Sequence, residues 1–230
     1  MMPSTTNAIP GKTIPELLAC YAAIAYDKQN DFYEVIGDNS WNFDTESGTI
    51  SFGPELVFPA QILGTFSHSS QTWLWAWANE QSKVPTPLLH QALQLKAYGE
   101  QYHIDLLSAS DFDASEEDLH IIGSIASGMF DASGYYLADY GQGVMVITVQ
   151  SAQVDQLRRN DSARILHAFS QAISFFEMQH KPAFLHYLTL KGYTTSDNGD
   201  SVTATNAQAT LTATFDNLGR LTNLKGNSGS

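Results

Sequence analysis

The chain has 230 residues, enough to bury a sizeable core, and its 43% hydrophobic and 15% charged residues are typical of a globular rather than a disordered protein. Its 24 acidic residues against 11 basic ones give a net charge of −13 at pH 7. That charge repels phosphate backbones and anionic membrane surfaces, so it disfavours nucleic-acid and membrane binding and favours a basic protein partner.

The first predicted element is a helix that begins at Thr13 and ends near Gly37. Thr13 can cap the helix, and Glu16, three residues later, can complete a capping box. The preceding residues, 1–11, are rich in Ser, Thr and Pro and are predicted to be a flexible tail. The helix has apolar residues at helical spacing, namely Leu17, Leu18, Tyr21, Ile24, Ala25 and Phe32.

The only cysteine, Cys20, lies in this helix, so neither an intrachain disulfide nor a cysteine metal site is predicted. Residues 17–20 resemble a lipoprotein cleavage box, but Pro15 and Glu16 stand where a signal peptide needs apolar chain. No run of residues approaches the ~20 apolar positions of a membrane span. The expected location is therefore the cytoplasm.

An antiparallel meander is predicted next, with strands at residues 41–44, 49–52 and 56–66. Pro59 lies inside the third strand and cannot donate to a ladder, which indicates an edge position or a bulge. A polar loop then leads into residues 72–79, TWLWAWAN, the most distinctive stretch of the chain.

Three of the four tryptophans lie in this stretch at alternate positions, a spacing that predicts a strand. Trp73, Trp75, Trp77 and Asn79 would then share one face. One interpretation makes the indoles the core between a sheet and a helix. The alternative is an open aromatic pocket for a small ligand. That pocket would be lined by Trp73, Trp75, Trp77, Tyr135 and Tyr140, with His68 and Asn79 as polar groups.

Helices dominate the middle of the chain. One is predicted from Thr86 and another from Ser115, whose acidic first turn the helix dipole favours. A hairpin follows, with strands at 135–140 and 144–149. The helix from Ser115 has a slim side that can approach another backbone closely, formed by Gly123, Ser127 and Gly128.

The last third of the chain is predicted to contain two helices and a second meander. The fourth helix is capped at residues 160–162, and a fifth starts at Pro182 and ends near Gly192. Helices thus lie between two groups of antiparallel strands without βαβ alternation. The predicted fold class is α+β, with antiparallel β-meanders at the N- and C-terminal ends packed with about five helices. The strands of the second meander are predicted at 201–206, 209–215 and 220–224.

A single compact domain is predicted over residues 12–225, with residues 226–230 as a second flexible tail. The alternative is a subdomain boundary near residue 110, although no Pro- or Gly-rich linker marks that position.

Residues 97–156 contain no Lys or Arg, and their acidic side chains crowd together most closely between positions 105 and 118. One hypothesis is a docking surface for a basic protein. The other is a solvated loop followed by ordinary helix N-terminal charges. Arg158, Arg159 and Arg164 could pair with this stretch within the fold or across a homodimer. The candidate docking residues are Asp105, Asp111, Asp113, Glu116, Glu117 and Asp118.

Motifs for catalysis, metals and cofactors are not found in the sequence. The seven histidines form none of the spacings of a metal site, and no nucleophile elbow or phosphate-binding loop is present. No cofactor and no metal are therefore expected.

Two stretches nevertheless point to a family. Residues 63–66, LGTF, and 72–79, TWLWAWAN, resemble the hallmark of a bacterial family of uncharacterised domains that carries a "tWlWaWaN" tryptophan-strand signature. Residues 215–221 are similar to that family's closing hairpin. The resemblance implies one domain over roughly residues 12–225 and a bacterial origin, but no activity.

The leading interpretation is a non-enzymatic binding protein whose acidic surface docks a basic protein, as an immunity protein does with a toxin. The alternative is a small-ligand-binding protein or enzyme with the aromatic pocket at the tryptophan strand.

Overall fold

The structure, a computed structural model, describes residues 11–207 and 209–228. Within these residues the chain has an α+β fold with two antiparallel sheets, which confirms the predicted class. The seven α-helices are α1 (Ile14–Ile36), α2 (His90–Tyr102), α3 (Asp105–Ser108), α4 (Glu116–Met129), α5 (Ala152–Asp155), α6 (Ser162–Phe175) and α7 (His180–Leu190). The eleven strands are β1 (Trp41–Asp44), β2 (Thr49–Phe52), β3 (Leu56–Ser67), β4 (Thr72–Trp75), β5 (Asp111–Asp113), β6 (Gly134–Asp139), β7 (Gly143–Val149), β8 (Thr194–Asp197), β9 (Ser201–Thr205), β10 (Ala209–Phe215) and β11 (Leu221–Ser228).

The long strand β3 is the centre of the seven-stranded sheet. It pairs with β2 at one end and with β4 at the other. It also pairs with β7, and β7 pairs in turn with β6. Pro59 lies where β3 makes its last pair with β2 and its pairing with β7 begins. Its carbonyl accepts the N–H of Gln150 at 3.0 Å. The register shift in β3 lies between Ile62 and Gly64, so the bulge predicted at Pro59 does not occur at that residue.

Helix α1 begins and ends where the sequence predicts. The Thr13 hydroxyl accepts the N–H of Glu16 at 3.4 Å, and Gly37 ends the helix with a φ of +54° that suits glycine. The predicted capping box forms only in part, because the Glu16 carboxylate accepts the N–H of Lys12 at 2.7 Å.

A complete capping box forms instead at α4. The side chain of Ser115 and that of Asp118 each bond to the other residue's backbone N–H.

The strand predicted over residues 72–79 is wrong in its second half. Trp73 and Trp75 belong to β4, but residues 76–78 form a short 3-10 helix, so Trp77 and Asn79 are not on the strand. The ladder with β3 ends at the pair of Gly64 and Trp75, next to the register shift in β3. Without a partner strand the chain turns.

A four-stranded meander, β8-β9-β10-β11, forms the second sheet. Strand β8 was not predicted, and β11 extends to Ser228, so the predicted tail at 226–230 is in part a strand. Of the other predicted tail residues, Gly11 is buried and its carbonyl accepts the Tyr98 hydroxyl at 2.7 Å, and residues 1–10 and 229–230 lie outside the described residues. Short elements that the sequence analysis missed are α3, α5 and β5.

The largest hydrophobic cluster joins both sheets through the helices. It includes buried residues of α1, α4, α6 and α7 together with side chains from β4 and from β9 to β11. A smaller cluster lies against β1, β2 and the first half of β3. Helix α1 contacts α4, α6 and α7, and a pocket opens beside it.

Candidate functional site

Trp73 and Trp75 are core side chains. Both are 0% exposed, and their rings meet edge to face with 5.4 Å between centroids. The indole N–H of Trp75 donates to the carbonyl of Leu106 at 3.2 Å. An open pocket walled by these two indoles is therefore wrong, because neither ring reaches the surface.

Trp77 and Asn79 also have structural surroundings. The half-buried Trp77 packs against the main core, and the Lys96 ammonium lies 4.2 Å from the centroid of its ring. The side-chain oxygen of Asn79 accepts the N–H of Ser82 at 3.1 Å and so caps the turn after the 3-10 helix.

His68 and Tyr140 lie at the opposite end of β6 from Tyr135. His68 Nε2 is 3.5 Å from a carboxylate oxygen of Asp139, and Tyr140 is exposed in the turn between β6 and β7. The structure thus disperses the seven residues of the predicted aromatic pocket. Of the seven, only Tyr135 lines the pocket described next.

That pocket, here called the α1–α4 pocket, has a volume of about 420 Å³. It opens between α1, α4, the start of β6 and the C-terminal end of α6. Its lining residues are Tyr26, Gln29, Tyr33, Glu117, His120, Ser124, Tyr135, Ser174, Phe175 and Phe176.

The polar side of the pocket is organised around Tyr135. Its hydroxyl lies 2.9 Å from Nδ1 of His120. The buried amide of Gln29 holds the Tyr135 backbone, donating to its carbonyl at 2.6 Å and accepting its N–H at 3.0 Å. A Cβ on Gly123 would lie 2.4 Å from Cδ2 of Tyr135, so the predicted slim side of α4 is what lets this ring lie against the helix.

The other side of the pocket is aromatic. The rings of Tyr26 and Phe175 are stacked, with 5.8 Å between centroids and 29° between planes. Phe175 is 61% exposed and Tyr33 is 50% exposed, an unusual amount of open ring surface for residues so close together. Exposed apolar surface that borders a concave site is typical of a binding site.

Burial also sets the charge states inside the pocket. It lowers the pKa of His120 below its ordinary value of 6.5, with the nearby Glu116 acting in the opposite direction, so the imidazole is neutral at pH 7. It raises the pKa of Tyr135, whose hydroxyl stays protonated. Glu117 is the one acidic residue in the lining, and no Lys or Arg is among the lining residues.

No site was recognised from the sequence at Glu117, His120 and Ser124. Their spacings of three and four residues do place them on one face of a helix, which is the signal that could have linked them. Other residues of the pocket come from α1, roughly ninety residues before these three in the chain, and from α6, roughly fifty residues after them. No local sequence pattern predicts contacts between residues so far apart.

A larger cavity, of about 560 Å³, lies beside the start of α1 and is lined in part by Glu16, Cys20 and His186. Its lining includes Gly11, the first residue that the structure describes. Burial raises the pKa of the Cys20 thiol, which disfavours a reactive thiolate. We therefore assign no site there.

The acidic residues of the predicted docking surface lie on consecutive short elements. Asp105 begins α3, Asp111 and Asp113 are on the edge strand β5, and residues 116–118 form the first turn of α4. Asp118 is taken up by the capping box. In the described part of the chain, none of these six carboxylates forms a salt bridge, and five of the six residues are exposed.

The three arginines do not neutralise this surface. Arg158 pairs with Asp155 and Asp131, which belong to the acidic stretch 97–156 but lie outside residues 105–118. Arg159 and Arg164 pair with carboxylates of α1. The predicted pairing with the acidic stretch 97–156 is therefore found for Arg158, but none of the three arginines pairs with residues 105–118.

A family model described as "Family of unknown function (DUF6882)" matches residues 15–150. The match confirms the predicted membership in a family of uncharacterised domains and includes residues 63–66 and 72–79. It is shorter than the predicted overlap of residues 12–225 and leaves out the closing hairpin. No curated protein and no solved structure matches the chain.

Among the residues that the structure describes, no helix combines the length and the apolar character needed to cross a membrane. The same part of the chain contains no group of three or more His, Cys, Asp or Glu side chains placed to hold a metal ion.

Proposed function

The chain belongs to DUF6882, a family of unknown function, and we propose from its geometry that it is a binding protein whose site is the α1–α4 pocket. The observation that carries this proposal is the convergence of an exposed aromatic wall and a polar side with free hydrogen-bonding groups. The volume of about 420 Å³ lies within the range of small-molecule sites, roughly 300–1,000 Å³.

Four polar groups of the lining are open to a ligand. Among the described residues, His120 Nε2, the hydroxyls of Tyr26 and Tyr33, and the Glu117 carboxylate have no hydrogen-bond partner, whereas His120 Nδ1 is occupied by Tyr135. A ligand in the pocket would find several unoccupied polar groups close to apolar ring surface. This combination of an apolar body and a few fixed polar groups gives a small-molecule site its orientation and specificity.

The pocket is also held in shape before any ligand arrives. Two hydrogen bonds between the Gln29 amide and the backbone of Tyr135 fix that backbone, and the lack of a side chain at Gly123 lets the ring lie close to α4. A preformed site avoids the cost of ordering its groups on binding.

A screen of small aromatic fragments by ligand-observed NMR tests the proposal. Fragments that bind should lose most of their affinity with Phe175→Ala, which removes the exposed wall, and with His120→Ala. The matched control is Leu218→Ala, which removes another exposed apolar side chain, 71% exposed, in the turn before β11. Binding that survives both pocket variants, or no binding in the screen, would contradict the proposal.

A second candidate function is docking of a basic protein on the acidic residues 105–118, as in an immunity protein. The observation that favours it is the lack of any salt bridge to these six carboxylates in the described chain. Such a complex should weaken steeply as salt rises from 50 to 300 mM, because screening acts on exposed charges. Affinity that does not change with salt would contradict it. A bacterial source, a cytoplasmic location and a homodimer stay predictions.

A further inference from the structure

We infer that the ligand of the α1–α4 pocket is an organic cation, an ammonium group attached to a small aromatic or apolar body. This inference rests on the proposed function and names the ligand class of the same site. It follows from three features: the charge of the lining, the position of the pocket mouth and the aromatic wall.

The charge of the lining has one sign. Glu117 is the one formally charged residue at pH 7, since burial keeps His120 neutral, and the lining contains no Lys or Arg. In the described chain Glu117 makes neither a salt bridge nor a side-chain hydrogen bond. An anionic ligand would therefore meet a carboxylate and no counter-charge, whereas a cation would find a free partner.

The pocket mouth lies beside the acidic surface. Glu117 is in the first turn of α4 between Glu116 and Asp118, and it belongs both to the lining and to the acidic residues 105–118. The negative potential of these neighbours and of a chain with a net charge of −13 concentrates cations at the mouth and repels anions.

The aromatic wall suits the same ligand. The faces of Tyr26, Tyr33 and Phe175 carry the negative side of the ring quadrupole, and the last two rings are at least half exposed. An ammonium group near such faces is attracted electrostatically, while its apolar body replaces water on the rings. A neutral aromatic compound would use the wall but not Glu117.

The test is isothermal titration of the full chain with three compounds of one shape: phenethylammonium, 2-phenylethanol and 3-phenylpropanoate. We expect the ammonium to bind about tenfold or more tightly than the alcohol, because both can donate a hydrogen bond to Glu117 but only the ammonium brings an opposite charge, and we expect the carboxylate not to bind. Glu117→Gln should remove this preference for the ammonium.

The matched control is Glu116→Gln, which removes the same charge one residue away, outside the lining. It should reduce ammonium affinity by less than about threefold, because a charge outside the lining acts on the ammonium only across solvent, where salt screens it. Both residues are exposed, so both variants should keep the far-ultraviolet circular dichroism of the unchanged protein.

Two sources could present the ammonium group, a free amine or a lysine side chain of a protein. A parallel titration uses an acetylated tripeptide with a central lysine and its norleucine counterpart. A preference for the charged compound that depends on Glu117 supports the inference, whether it occurs with the free amine or with the lysine peptide. Whichever of the two shows this preference identifies the source of the ammonium group. Equal binding of ammonium and alcohol, or equal effects of Glu117→Gln and Glu116→Gln, overturns the inference but leaves the pocket as a site. If no compound of any charge binds, both the inference and the proposed function fail.

Discussion

At the scale of single residues, the space beside one glycine explains how the tryptophans of β4 can be buried. A Cβ on Gly64 would lie 2.3 Å from Cζ2 of Trp73 and 2.6 Å from the carbonyl oxygen of Leu74. Gly64 is the Cα partner of Trp75 in the ladder between β3 and β4. The two stretches that carry the family resemblance, LGTF and TWLWAWAN, are thus in direct contact.

We expect Gly64→Ala to lower the free energy of unfolding by about 1–3 kcal/mol, since a methyl group in a filled space forces the backbone or the indole to move. Urea denaturation followed by tryptophan fluorescence measures it. The control is Thr65→Ala on the same strand, for which we expect a loss below about 1 kcal/mol. Equal effects of the two substitutions would contradict this account of Gly64.

At the scale of elements, α1 is attached to the C-terminal helices by buried charges. Asp27, 2% exposed, accepts hydrogen bonds from the guanidinium of Arg164, from Lys191 at 2.6 Å and from the Tyr187 hydroxyl at 3.0 Å. Arg164 also reaches Asp31 at 2.6 Å. Burial by itself lowers the pKa of the Arg164 guanidinium, but Asp27 and Asp31 together outweigh it, so the pKa is raised and the positive charge is retained.

We expect Asp27→Asn to lower the free energy of unfolding by about 3–5 kcal/mol, because it leaves Arg164 and Lys191 with too little negative charge in a buried site. The control on the same helix is Glu34→Gln, which removes a half-exposed pair with Arg159 and should cost at most about 1 kcal/mol. Thermal and urea denaturation of both variants measure the difference. A small loss from Asp27→Asn would mean that the network adds little to stability.

At the scale of the whole molecule, the matched family segment and the rest of the chain share a core. The main hydrophobic cluster runs from α1 and β4, inside residues 15–150, to β9, β10 and β11 outside them. The pocket depends on both parts, because Ser174, Phe175 and Phe176 complete a lining that is otherwise drawn from residues 15–150. A boundary near residue 110 would separate β3 from its partner β7.

We therefore expect the chain to unfold in one cooperative transition, as a single domain over residues 12–225 requires. All four tryptophans lie before residue 80, so their fluorescence reports on the first part of the chain. Hydrogen exchange of the β9 and β10 amides reports on the last part. The two probes should give the same urea midpoint, and two separate midpoints would show that the C-terminal part is an independent unit.

What the sequence determined by itself was the class of the fold and the elements with local signals. Caps, glycine stops and apolar spacing are contained within a few residues, so α1, the meander before β4, and the helices from Ser115 and Asp161 could be located in advance. Short elements without such signals, such as β5 and β8, were missed. They are strands because they pair with neighbouring strands, not because of a pattern in their own residues.

The tertiary structure alone decided which residues meet. Whether the indoles were core or pocket depended on what covers them, and the partners of Arg164 lie more than 130 residues away in the chain. The α1–α4 pocket gathers side chains from α1, α4, β6 and α6 that no local pattern connects. Such contacts follow from how whole elements pack, which depends on every buried side chain at once and not on any short stretch of sequence.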